Sequence, residues 1–86
     1  MFLTGKLYKG TSLIKELKIN NDNSDKPFRD VLEDSLIGLC RQLDIPVPIW
    51  LDKNTSELAR HRKTVFLRDQ FVEKVEYDKF EIKIEF

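Results

Sequence analysis

Arg60-His61-Arg62-Lys63, with Lys53 ahead of it and Arg68 behind, is the one stretch of the chain where side chains of a single charge crowd together. Cations at this density contact nucleic-acid phosphates, and His61 or Trp50 would offer an aromatic face to a base. The same residues also suit a structural role. If Asn54 caps a short helix, Arg60, Arg62 and Lys63 occupy its last turn, where cations complement the negative end of the helix dipole. Successive helical side chains point about 100° apart, so the run fans out instead of forming a stripe. The formal net charge of zero also speaks against a dedicated nucleic-acid binder.

Other reactive residues give less. His61 is the only histidine. As a general base it needs an orienting carboxylate, such as Asp52 or Glu57, and a nucleophile within reach. Its two flanking arginines do not build a site. Cys40, the only cysteine, excludes an internal disulfide and falls on an apolar helix face, where it reads as a small buried hydrophobe. Glu33-Asp34 and the pair Asp69 and Glu73 read as solvated helical carboxylates. The loop from Asn20 to Asp25 begins like a calcium loop, but Asp25 stands where glycine is required and Val31 where the final acid is required. Gly5, Gly10 and Gly38 are too scattered for a phosphate loop. No metal, cofactor or catalytic residue is therefore expected.

The elements that must position these residues are written in two periods. Leu3 and Leu7, then Leu13, Leu17 and Ile19, flank Lys9-Gly10-Thr11-Ser12 and predict strand, turn, strand. From Pro27 the spacing becomes three and four: Phe28, Val31, Leu32, Leu36, Leu39, Cys40 and Leu43 mark an amphipathic helix over about 27–43. Ser24 or Asp25 should cap it, and Asp44-Ile45-Pro46 should end it. Ile49-Trp50-Leu51 reads as a short buried strand or extended segment, and Asn54-Thr55-Ser56-Glu57 as a capped start to a helix ending near His61. Thr64-Val65-Phe66-Leu67 reads as a brief extended piece. A helical turn or two is expected from Asp69, on the spacing of Leu67, Phe71, Val72 and Val75. Phe80, Ile82, Ile84 and Phe86 alternate with charges and predict a C-terminal strand.

The 86 residues support one compact domain over 1–86. The expected class is α+β: one long helix packed on a small, mostly antiparallel sheet of the hairpin and the C-terminal strand, with one or two short extra helices and Trp50, Phe66 and Phe71 closing the core. The chain shows no signal peptide and no run of about 20 apolar residues, so a cytoplasmic location away from membranes is expected.

Ile49-Trp50-Leu51-Asp52, Ser56-Glu57, Arg60-His61-Arg62-Lys63-Thr64, Phe66, Asp69-Gln70-Phe71, Tyr77-Asp78 and Phe80-Glu81-Ile82 together resemble a pattern in short uncharacterised proteins of anaerobic Gram-positive bacteria. The resemblance covers about the C-terminal half and implies a bacterial cytoplasmic origin. It transfers no functional residue.

The leading functional expectation is a non-enzymatic interaction module. It would self-associate or dock a protein around Trp50 and the 60–68 segment, or through the C-terminal strand if that strand lies at a sheet edge. The alternative is a weak nucleic-acid binder through the 53–68 block.

Overall fold

Gly10 has a φ of +61°, the left-handed geometry that glycine takes without cost at the first central position of a tight hairpin turn. It joins β1 (Phe2–Lys9) to β2 (Ser12–Asn20). Their register pairs Leu7 with Lys15 and then Tyr8 with Leu13, leaving Ile14 as the extra residue of a bulge.

The computed structural model describes residues 1–22 and 25–86. After the hairpin come α1 (Phe28–Leu43), α2 (Asp52–His61), β3 (Lys63–Leu67), a 3₁₀ turn at Arg68–Gln70 and β4 (Lys79–Glu85). The protein is α+β: the described residues form one four-stranded antiparallel sheet in the order β2-β1-β4-β3 and two α-helices.

The alternation in β4 sends Phe80, Ile82 and Ile84 to the core, opposite Leu7, Gly5 and Leu3 of β1. Phe66 and Thr64 of β3 meet the same face. The opposite face carries the ion pairs Lys6–Glu16 (3.9 Å), Lys18–Glu85 (3.7 Å) and Lys63–Glu81 (3.9 Å) beside the exposed apolar side chains of Phe2, Leu13 and Leu67.

The covering layer differs from the expected single long helix. Leu36, Leu39, Cys40 and Leu43 of α1 join the core, but α2 lies against β3, and Phe71, Val75 and Tyr77 fill in from the segment before β4. A sheet widened to four strands by β3 needs this second helix, because α1 reaches mainly β1 and β2.

Several boundaries shift for identifiable reasons. Pro27, not Asp25, is the N-cap residue of α1, and its carbonyl accepts from the Asp30 and Val31 amides at 3.0 and 3.1 Å; the expected Ser24 cap lies outside the described residues. Asp44 ends α1 at a φ of 59°. The Asp44 amide donates to the Arg41 carbonyl, and the Ile45 amide to the Cys40 carbonyl at 3.0 Å, which together form a Schellman stop. Ile49-Trp50-Leu51 forms no strand: Leu51 is extended and Trp50 packs against the core, but Ile49 and Leu51 are each 44% exposed. The helix expected from Asp69 is only the 3₁₀ turn, after which Val72 is 86% exposed.

A Cβ on Gly5 would sit 2.7 Å from Leu39 Cδ2 and 2.9 Å from Phe80 Cε1. Gly5 is thus the place where α1 presses on the sheet. Gly5→Ala should cost about 1–3 kcal/mol by overpacking, read as a lowered melting temperature with an unchanged circular dichroism spectrum.

Candidate functional site

The residues flanking α2 define the site. Asn54 is fully buried and uses all four of its hydrogen-bonding positions. Its Oδ1 accepts from the Leu51 amide at 3.0 Å and from Gln70 Nε2 at 2.9 Å. Its Nδ2 donates to Thr64 Oγ1 at 2.8 Å and to the Val65 carbonyl at 3.2 Å. Thr64 Oγ1 donates onward to Glu57 Oε1 at 2.6 Å. Gln70 repeats the motif: Oε1 accepts from the Leu67 amide at 3.0 Å, and Nε2 also donates to the Ile49 carbonyl at 3.1 Å. Asn54 was expected as a cap but stands in the first turn of α2, reaching back to the residue before the helix. This polar clamp ties α2, β3 and the 3₁₀ turn into one unit, and such a fully satisfied network favours a single arrangement.

The clamp holds α2 opposite α1, and between the helices runs an open groove of about 1100 Å³. Leu32 and Leu36 line the α1 side, Leu58 and Ala59 the α2 side, and Ile84 contributes from the sheet. Phe28 (44%), Ile37 (37%), Val47 (46%) and Phe86 (77%) are exposed apolar side chains along it. Trp50 also lines the groove; its ring packs on Phe66 at 5.6 Å, and its indole N–H donates to Thr55 Oγ1 at 2.8 Å. Phe28 and Phe86 meet at 5.9 Å, and the Arg62 guanidinium lies 5.3 Å from the Phe86 ring.

The basic run does not stay together. Arg60 and exposed His61 finish α2, whereas Arg62 is the left-handed residue after it (φ 56°) and turns into the groove. Lys63 belongs to β3 and pairs with Glu81 on the sheet face away from the core, so Arg62 and Lys63 do not occupy the expected helix turn. Arg68 is at the far end of β3, bonded to Asp78 and to the Tyr77 carbonyl. Of the residues singled out from the sequence, Trp50 and Arg62 line the groove while Arg60, His61, Lys63 and Arg68 lie away from it. β4 is paired on both sides, so docking through a free C-terminal edge is ruled out by the strand order.

His61 shares a shallow depression of about 250 Å³ with Glu57, Lys63, Thr64 and Val65. The Thr64 hydroxyl is already committed to Asn54 and Glu57, so these neighbours do not assemble an activated nucleophile. Among the described residues no three metal-binding side chains gather, and no helix is long and apolar enough to cross a membrane.

Tyr77 Oη is buried and has no hydrogen-bond partner among the described residues. Burial, with smaller contributions from Cys40 and Glu73, pushes its phenol up to about 12, and burial pushes the Cys40 thiol up to about 12 as well. The fold retains both protons, while the unfolded chain releases the thiol proton near its ordinary value of 9.0 and the phenol proton near 10.0. Above about pH 9 the folded state therefore binds more protons, and stability should fall as pH rises from there toward 12. Tyr77→Phe should be neutral or stabilising by about 1 kcal/mol at pH 7, because it removes an orphaned hydroxyl, and should flatten part of the alkaline decline in urea titrations.

The chain matches no known family model, curated protein or solved structure.

Proposed function

We propose that this protein is a non-enzymatic interaction module that binds through the apolar groove between α1 and α2. The observation that carries this reading is four exposed apolar side chains, Phe28, Ile37, Val47 and Phe86, along one groove that Trp50 also lines. Contiguous exposed apolar surface with charged residues around it is characteristic of interaction sites. The alternative, nucleic-acid binding through the 53–68 block, is weaker because its cations diverge onto the groove, the sheet face and the 3₁₀ turn. A cytoplasmic bacterial setting, as the resemblance implies, belongs to the same proposal.

An apolar dye, anilinonaphthalene sulfonate, tests it. The folded protein should enhance dye emission, and Ile37→Asp, an exposed change, should abolish the enhancement without altering the circular dichroism spectrum. Emission that is absent in the parent, or unchanged in the variant, would refute the groove as a binding surface. A short mixed-sequence oligonucleotide should show no salt-sensitive binding.

A further inference from the structure

We propose that the occupant of the groove is a second copy of the same chain, packed about a two-fold axis; this rests on the reading of the groove as a binding surface. The charges beside the groove are ordered. Arg29 and Arg62 flank the end marked by Phe28 and Phe86, Glu33 follows one turn along α1, and Asp52 begins α2 at the other end. Among the described residues none of these four takes part in an ion pair, although six pairs form elsewhere.

A two-fold reverses direction, so the basic end of one copy meets the acidic part of the other. In antiparallel α1 helices Arg29 faces the second copy's Glu33, and the reciprocal pair forms by symmetry. Arg29, Glu33 and Ile37, spaced by four, make the ridge that seats in the facing groove. A zero net charge adds no long-range repulsion between copies. The two sheet edges are poorer candidates: β2 carries Lys15, Lys18 and the bulge at Ile14, and β3 is only five residues long with its Val65 carbonyl already accepting from Asn54.

Sedimentation of the full chain, with Arg29→Glu and Glu33→Arg, tests the assignment. The parent should reach twice 10.2 kDa as concentration rises. Each swap should return it to the monomer mass, and an equimolar mixture of the two variants should recover the dimer, because all-acidic then faces all-basic. A parent dimer indifferent to both swaps, as β2 pairing would give, overturns the proposal. A monomeric parent that still binds dye through the groove overturns the second copy alone, leaving a different protein as occupant. A monomeric parent that binds no dye overturns both readings.

Discussion

Asn54→Ala should lower stability by at least about 3 kcal/mol, enough to move the urea midpoint well below that of the parent. The reason is the number of groups it orphans. The Leu51 amide and one Gln70 donor lose their acceptor, and Thr64 Oγ1 and the Val65 carbonyl lose their donor. Each buried polar group left without a partner costs about 1–3 kcal/mol, and partial relaxation keeps the total below the simple sum. Against a typical total stability of about 5–15 kcal/mol, this is a severe loss. Thr55→Ala removes only the bond from the Trp50 indole at the surface and should cost about 1 kcal/mol or less. If the two variants unfold at similar urea concentrations, the clamp is not what holds α2.

Phe66→Ala should cost about 3–5 kcal/mol, the range for truncating a buried aromatic ring. Phe66 is fully buried between Trp50 at 5.6 Å and Phe80 at 5.8 Å. The three rings connect the groove to the sheet centre, so the cavity would loosen the Trp50 wall as well as the core. The melting temperature should fall by about 4–8 °C for each kcal/mol lost, and Trp50 emission should shift to the red below the transition. A stable variant with unchanged emission would mean that Trp50 is held independently of Phe66.

The period of the apolar residues made α1 and β4 legible, because each buries one face and leaves the other in water, whereas the hairpin was legible from its turn residues around Gly10, since β2 has no buried residue. The same logic failed where burial comes from irregular backbone. Leu67, Phe71 and Val75 are spaced by four, yet only Phe71 and Val75 are buried, from a segment with no helix beyond the 3₁₀ turn. Ile49 and Leu51 looked like core because they belong to an apolar run beside prolines, but both are exposed, while Trp50 between them packs against the core.

Asn54 and Gln70 were hidden for a different reason: an amide in a polar stretch reads as surface, and nothing local reveals that a neighbouring strand will bury it. The usable signal was an apolar residue followed three positions later by an amide, Leu51 with Asn54 and Leu67 with Gln70, where the side chain returns to the free N–H before a helical turn. The groove could not be read at all, since Phe28, Trp50, Arg62 and Phe86 are brought together only by the strand order and the two-helix layer.

Amide and indole chemical shifts recorded across a hundredfold range of protein concentration test the central claim most directly. A second copy seated in the groove predicts changes concentrated at Phe28, Glu33, Ile37, the Trp50 indole N–H and Arg62, with β2 and the Lys63 face of the sheet unmoved. Shifts confined to β2 or to that sheet face, or no concentration dependence anywhere, would contradict it.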